Sequence, residues 1–213
     1  MRVLGVDPGL GRCGWAVLEG RGGRVAPVAY GTVHTEGEQV APRLATLAAQ
    51  LRQVLAAHRP EALAIERLFF NANVRTAMTV GQASGVVLLL AAEHGLEVSA
   101  YTPPQVKQAV TGSGSAPKEQ VGYMVKALLG LASVPAPADT ADALAVALCH
   151  LNHAGLAGLG AAGGTGGATA AAPVADWLAR AAPTSPGLRP APARRGPGNA
   201  DGGAPVHQGG ARR

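Results

Sequence analysis

The chain has 213 residues, of which 15% are charged and 3% aromatic, and its formal net charge is +5. This length suits one domain of roughly 150 residues with an additional segment. No uninterrupted apolar run reaches the ~18 residues of a membrane-spanning helix, and the start MRVLGVD lacks the pattern of an export signal. Two cysteines, Cys13 and Cys149, are too few for a disulfide framework, so a reducing cytoplasm is the simplest setting.

The composition of the chain changes near residue 155. Residues 155–213 hold 14 of the 30 glycines and 7 of the 16 prolines. A segment of this composition has too little apolar side-chain surface to offset the conformational entropy lost on folding. We therefore predict a folded domain over residues 1–154 and a disordered Gly/Ala/Pro-rich tail over 155–213. The tail has six arginines and two aspartates, whereas the domain has 12 basic and 11 acidic side chains. Bulk charge therefore does not identify the domain as a nucleic-acid binder.

Three short apolar runs begin the chain, and each is predicted to be a strand: RVLGVD, CGWAVLEG and VAPVAYGTVHT. The short turns between them favour antiparallel pairing. The segment APRLATLAAQLRQVLAAHRP has leucines at helical spacing, which predicts a first helix that ends near Pro60. The continuous apolar run ALAIER that follows is typical of a buried parallel strand.

The second half of the domain is predicted to be mostly helical. Residues 73–94 predict a long helix that ends at Gly95, and LEVSAYTP predicts a fifth strand. PPQVKQAV and PKEQVGYMVKALLG predict two more helices, and a last helix begins near Pro137 and includes ADALAVALCHL. This order predicts an α/β fold with a mixed five-stranded sheet flanked by helices. The helix at 73–94 is apolar on all sides in GVVLLLAA, so it is expected to be buried against its own sheet or against a partner chain.

Four acidic residues stand in distinctive places. Asp7 and Glu66 end the first and fourth predicted strands, after apolar runs in which a lone carboxylate is costly to bury. Asp139 and Asp142 are three residues apart at the start of the last helix and share one of its faces. Each also has a structural alternative. Asp7 suits a turn, Glu66 could pair with Arg67 or another base, and the two helical aspartates could cap their helix.

The predicted topology brings these four carboxylates together. The first strand and the strand after a crossover helix should be neighbours, so their carboxyl ends could meet the start of a packed helix. Four carboxylates in one cleft repel one another unless a cation neutralises them, and hard oxygen ligands suit Mg²⁺ or Mn²⁺. Two such ions can activate a water and stabilise the leaving oxygen of a phosphodiester. The sequence therefore favours a divalent-metal site.

The chain has only three lysines, Lys107, Lys118 and Lys126. An ammonium near a scissile phosphate would offset developing negative charge, whereas a solvated helix face is the alternative and fits Lys126 better. The loop GSGSAP before Lys118 could let a strand of substrate come close or could be a flexible connector.

The stretch FFNAN contains the only phenylalanines, Phe69 and Phe70. Such aromatic side chains can insert at an unstacked base step, and the alternative is that one of them anchors the core. Arg75 could contact phosphate or be solvated. His150 and His153 are three residues apart, but no other Cys or His completes a zinc site.

Four segments carry a resemblance to a known family: GVDPGLGRCGWAVL, AIERLFF, QVKQAVTGSGSAPKEQV and DTADALAVALCH. Their order and spacing resemble the RuvC family of bacterial Holliday junction resolvases over roughly residues 1–153. The resemblance implies a ribonuclease H-like fold, a homodimer, and paired symmetric nicks in four-way junction DNA by a Mg²⁺-dependent crossover junction endodeoxyribonuclease. It also implies work with the RuvA and RuvB branch-migration proteins.

The same resemblance assigns roles to individual residues. By matching motif, the four metal-binding carboxylates are Asp7, Glu66, Asp139 and Asp142, and the two lysines that assist cleavage are Lys107 and Lys118. Phe69 matches the aromatic residue that stacks on bases at the junction, and the adjacent Phe70 could share that role.

Two other classes of function compete with this one. A sugar-kinase or actin-like ATPase has a related fold and a strand–turn like VDPG, but it needs a second phosphate-binding domain that this length does not provide. A non-catalytic junction-binding protein or a nuclease acting on RNA is the third possibility, and the intact carboxylates argue against loss of catalysis.

Overall fold

The computed structural model describes residues 1–67 and 74–155, which contain five strands and five helices. The strands are β1 (Arg2–Asp7), β2 (Arg12–Arg21), β3 (Arg24–His34), β4 (Ala62–Glu66) and β5 (Glu97–Tyr101). The helices are α1 (Val40–His58), α2 (Val74–Glu93), α3 (Pro103–Thr111), α4 (Lys118–Leu129) and α5 (Ala138–His153). The predicted tail lies outside the described residues, apart from Gly155.

The five strands form one mixed sheet in the order β3-β2-β1-β4-β5. Strands β1, β2 and β3 pair antiparallel through short connections, whereas β4 lies parallel to both β1 and β5. The parallel pairs are possible because helices α1 and α2 carry the chain back between successive strands. The predicted mixed five-stranded sheet flanked by helices is therefore confirmed, including the neighbouring positions of the first and fourth strands.

Both faces of the sheet are covered, which explains the continuous apolar runs of β1 and β4. Successive side chains of a strand point to opposite faces, so Val3 and Ala64 contribute to the core beneath α5, while Leu4 and Ile65 contribute to the core beneath α1 and α2. Helix α5 is buried almost all round because the sheet lies on one side of it and α3 and α4 lie on the other. This sandwiched helix brings its first turn to the carboxyl ends of β1 and β4.

Two glycines allow α5 to lie unusually close to the sheet. A Cβ atom placed on Gly5 would lie 2.7 Å from the Cβ of Ala147 and closer still to the carbonyl oxygen of Ala143. A Cβ on Gly14 would overlap the carbonyl oxygen of Asp139. The two glycines, one on each of these neighbouring strands, therefore determine how closely α5 packs on the sheet.

Helix α2 is buried on one face and exposed on the other. The 18-residue segment Thr76–Glu93 has a mean hydropathy of 1.3 and is long and apolar enough to cross a membrane. Within the fold, 28% of this segment is buried. Polar residues interrupt this segment, so it contains no uninterrupted apolar run of that length. Ala83, Val87 and Leu90 pack in the core, while Met78 and Leu89 are exposed. Burial against its own domain therefore covers only part of this helix.

Candidate active site

Asp7 and Glu66 are the last residues of two neighbouring parallel strands. The β1–β4 register pairs Val6 with Ile65, so the two carboxylates leave the sheet side by side. Both lie on the face that α5 covers, because they have the same strand parity as Val3 and Gly5 in β1 and as Ala64 in β4. Among the described residues, Glu66 forms no ion pair with Arg67, and the bases whose charges act on it are Lys118 and Lys107.

Asp139 and Asp142 lie in the first two turns of α5. The residue that precedes the helix, Pro137, offers no side-chain cap, while Asp139 lies in the first turn, where its charge suits the helix dipole. In addition, Asp139 Oδ2 lies 3.1 Å from Arg12 Nε, and Asp142 Oδ2 lies 2.6 Å from Lys118 Nζ. The carboxylates are thus paired with cations from β2 and α4.

The four carboxylates act electrostatically as one cluster. Burial, together with repulsion from Glu66, Asp142 and Asp139, raises the pKa of Asp7 to about 8. Burial also raises the pKa of Glu66, with Asp142 as the next cause, while a hydrogen bond from Asp7 offsets part of the increase. Burial is therefore the main reason that the pKa values of Asp7 and Glu66 are raised, and repulsion between neighbouring carboxylates adds to it.

The chemistry of this donor set fits a divalent cation. Within residues 1–67 and 74–155, no three His, Cys, Asp or Glu side chains are drawn together closely enough to enclose an ion as they stand. However, the cluster consists of four carboxylates that repel one another, and hard oxygen donors of this type are those that Mg²⁺ and Mn²⁺ prefer. A cation of this kind would relieve the repulsion that, after burial, contributes to the raised pKa of Asp7 and Glu66.

A cavity of about 220 Å³ opens beside the carboxylates. Glu66, Asp142, Lys107 and Lys118 line its polar side. The apolar remainder of its lining comes from residues of α3, α4 and α5: Pro103, Val106, Val121, Ala145 and Val146. Both lysines singled out in the sequence are therefore brought to the carboxylate cluster.

Lys107 is positioned by the start of α3. Thr102 and Gln105 form a reciprocal capping box, and Pro103 and Pro104 occupy the first helical positions, so this short helix begins at a fixed point after β5. Lys107 lies one turn further on and lowers the pKa of Glu66 by its charge. The capping signals in TPPQ thus fix a cation beside the cavity.

Lys118 is the first residue of α4, where a positive charge is opposed by the helix dipole. Its ion pair with Asp142 compensates, and the hydrogen bond to that carboxylate raises the pKa of Lys118. Helix stability alone would favour an acidic side chain at this position. The lysine is therefore explained by the site and not by the helix that carries it.

Other predicted residues lie elsewhere. Phe69, Phe70 and the side chain of Arg75 lie outside the part of the chain that the structure describes. His150 is buried, and its Nδ1 is hydrogen-bonded to the Tyr101 hydroxyl at 2.9 Å, which makes it a core residue.

Three residues at the site were not predicted from the sequence: Gly5, Gly14 and Arg12. Isolated glycines inside strand patterns indicate a close backbone approach, so the signal for Gly5 and Gly14 was present in RVLGVD and CGWAVLEG. Arg12 gave no such signal, because its contact with Asp139 spans more than 120 residues of sequence and depends on the packing of α5.

Comparison with known proteins agrees with this fold and site. The family model for crossover junction endodeoxyribonuclease RuvC matches residues 3–150. The RuvC protein of Frankia alni is 50% identical over 195 residues, which cover 91% of this chain and 90% of that protein. The structure of Thermus thermophilus RuvC is 40% identical, covers 73% of this chain and 98% of its own, and superposes with a TM-score of 0.67. A second structure, T. thermophilus RuvC in complex with Holliday junction substrate, is 38% identical, with the same TM-score over 74% of this chain and 98% of its own.

The family model covers well over half of the chain, and the Frankia protein is matched over nearly its whole length. The fold is accordingly ribonuclease H-like, as the arrangement of the sheet and the similarity to T. thermophilus RuvC both indicate. The chain therefore belongs to the RuvC family of crossover junction endodeoxyribonucleases, phosphodiester hydrolases that act on Holliday junctions in recombination and repair.

Proposed function

We propose that this chain binds four-way junction DNA and cleaves it with divalent metal held by Asp7, Glu66, Asp139 and Asp142. The observation that carries the proposal is the convergence of these carboxylates, from two parallel strand ends and one helix, on a single cleft. The similarity to T. thermophilus RuvC, which has been seen with Holliday junction substrate, supports junction DNA as the ligand.

The proposed metal is Mg²⁺, with two ions in each active site and Mn²⁺ as a substitute. Bound there, such ions would activate a water and stabilise the leaving oxygen of the scissile phosphodiester. The protein's part is to supply the four carboxylates at fixed positions. Strand ends and a helix packed on glycines are rigid supports, and this rigidity limits the reorganisation required during the reaction.

Lys107 and Lys118 are proposed to assist cleavage from the cavity side. Both ammonium groups lie beside Glu66 and Asp142, where the scissile phosphate must approach the metal ligands. Positive charge placed there would stabilise negative charge that develops on the phosphate. Lys118 has the closer carboxylate contact, so it also holds Asp142 until the substrate is bound.

We further propose that two copies of the chain act together, so that opposed strands of a junction are nicked as a pair. The exposed apolar side of α2, which includes Met78 and Leu89, supplies a surface for a second copy. Phe69, Phe70 and Arg75, at the start of this helix or just before it, are proposed DNA contacts on the strength of the resemblance alone. The action of RuvA and RuvB on the same junctions and a cytoplasmic location are proposed on the same ground.

The domain division is proposed as well. Residues 1–154 would form the nuclease domain and 155–213 an appended tail, which agrees with a family match that ends at residue 150. A chain truncated after residue 154 should retain junction cleavage. Comparing its cleavage with that of the full chain at two salt concentrations would show whether the six tail arginines add phosphate contacts.

The decisive experiment is incubation with a synthetic four-way junction, a linear duplex and an RNA–DNA hybrid, each with Mg²⁺. Paired symmetric nicks confined to the junction are expected. The Asp7→Asn variant should still bind the junction while its cleavage is lost. Full cleavage by that variant would contradict the proposed chemistry, cutting of the hybrid would favour an RNA-directed nuclease, and ATP turnover without DNA would revive the kinase-like alternative.

A further inference from the structure

Arg12 reaches from the solvent to an inner carboxylate of the active site. It is the first residue of β2, two positions before Gly14, which pairs with Asp7 across the sheet. Its Nε lies 3.1 Å from Asp139 Oδ2, and its side chain is 59% exposed, whereas that of Asp139 is only 22% exposed. The guanidinium therefore stands at the rim of the carboxylate cluster.

The contact between Arg12 and Asp139 is the counterpart of the one between Lys118 and Asp142. Lys118 is 60% exposed and its carboxylate partner 23% exposed, so both aspartates of α5 are covered by a cation that is open to solvent. Exposed ion pairs contribute little to stability. The Arg12–Asp139 and Lys118–Asp142 pairs are therefore notable for their position at the two carboxylates of α5, and not for a contribution to stability.

The chemistry of arginine suits an exchange of partners. A guanidinium has five N–H donors, and a contact through Nε leaves the four Nη hydrogens for another anion. Any cation that binds Asp139 weakens the attraction of that carboxylate for Arg12. A phosphate that reaches the carboxylate cluster then lies within range of a side chain that packing does not fix, and arginine forms bidentate bonds with phosphate oxygens.

We propose that Arg12 is a DNA-binding residue of the active site, which pairs with Asp139 in the free protein and with a backbone phosphate of the junction when divalent ions are bound. The inference rests on the proposed function, and it adds a contact on the β2 side of the cleft, opposite the lysines on α3 and α4.

The test compares Arg12→Gln and Arg12→Lys with the control Arg52→Gln. Arg52 forms a similarly exposed ion pair with Glu93, 3.2 Å long, between α1 and α2. Two quantities are measured: the affinity of the DNA-free protein for Mn²⁺ by calorimetry, and the affinity for a fluorescent four-way junction in Ca²⁺ over a range of salt concentrations.

Arg12→Gln should bind Mn²⁺ about fivefold more tightly, since it removes a cation that competes for Asp139. It should bind the junction roughly tenfold less tightly, the value for removal of one hydrogen bond to a charged group. The slope of log affinity against log salt should become shallower by about 0.9, the value for one phosphate that is no longer neutralised. Arg12→Lys should retain most of the salt dependence, and Arg52→Gln should leave both affinities unchanged.

Two results would overturn the inference. Unchanged junction affinity and salt slope in Arg12→Gln would show a plain surface ion pair, and weaker Mn²⁺ binding would show that Arg12 only orients Asp139. Neither result affects the proposed function, which is tested separately by the binding and nicking of the junction by the unmodified protein and the Asp7→Asn variant.

Discussion

Gly14 lies directly against the backbone carbonyl of Asp139, with no room between them for a β-carbon. Gly14 is also paired with Asp7 in the β1–β2 register. This glycine therefore lies next to Asp7 of β1 and also contacts the backbone of Asp139 in α5. A hydrogen bond of 2.8 Å between the hydroxyls of Thr32 and Thr140 holds the same turn of α5 from the next strand. A close backbone approach and a short hydrogen bond between two hydroxyls therefore hold the first turn of α5 against the strands.

Gly14→Ala should displace the first turn of α5 and with it Asp139. We expect a loss of about 1–3 kcal/mol in the free energy of unfolding, as for other overpacked sites, and at least a tenfold fall in junction cleavage. Urea denaturation and single-turnover cleavage measure the two effects. Gly11→Ala is the control, because the added carbon would meet only the end of the Arg43 side chain at 3.4 Å. Normal cleavage by Gly14→Ala would show that the close approach is not required.

The raised pKa of Asp7 predicts how stability depends on pH without metal. Burial and the neighbouring carboxylates raise it from 3.8 to about 8, so the folded protein keeps a proton that the unfolded chain releases. Stability from this group is complete below the lower value and is lost as pH rises towards the higher one. Urea denaturation in chelator at pH 5 to 8 should show the decline.

The Asp7→Asn variant removes the group responsible. At pH 8 without metal it should exceed the unmodified protein in stability by about 2 kcal/mol, and its stability should change less with pH. Added Mg²⁺ should stabilise the unmodified protein more than the variant. Glu19→Gln, which removes a carboxylate paired with Arg2 far from the cluster, is the control. Equal pH dependence in all three proteins would mean that Asp7 is ionised in the fold at neutral pH.

Lys118 and Lys126 provide a matched pair on one helix. Lys118 contacts Asp142 at the start of α4, whereas Lys126 lies in its last turn, where a positive charge suits the helix dipole. Lys118→Ala should lower single-turnover cleavage by about 10²–10³-fold, as removal of a charge-stabilising group does, with little change in unfolding free energy. Lys126→Ala should cleave normally. Equal cleavage by the two variants would show that Lys118 does not assist the reaction.

Much of the fold could be predicted from the sequence because its signals are local. Apolar runs, helical spacing and the turn residues located all ten elements, and the crossover through α1 indicated that Asp7 and Glu66 end on neighbouring strands. The meeting of the strand ends with Asp139 and Asp142 followed from that topology. The depth of α5 on Gly5 and Gly14 did not follow, because it depends on which residues face each other after folding.

The partly exposed helix α2 also shows a limit of the sequence. Its composition indicated burial on all sides, and both its own sheet and a partner were candidates. The structure buries one side and leaves Met78 and Leu89 exposed by 62% and 56%. The segment GVVLLLAA is apolar on all sides of the helix, so its composition alone did not show which side faces the core.

That exposed side predicts the effect of Leu89→Glu. If a second copy covers it about a two-fold axis, each interface receives two added carboxylates in place of two apolar side chains. The variant should dissociate in sedimentation experiments at concentrations at which the unmodified chain remains a dimer, and it should yield single nicks in place of paired ones. Tyr123→Glu, at a side chain on α4 that is 63% exposed, should leave the dimer intact. A Leu89→Glu dimer of undiminished stability would place the contact between copies on another surface, because two buried and unpaired carboxylates could not be accommodated at this one.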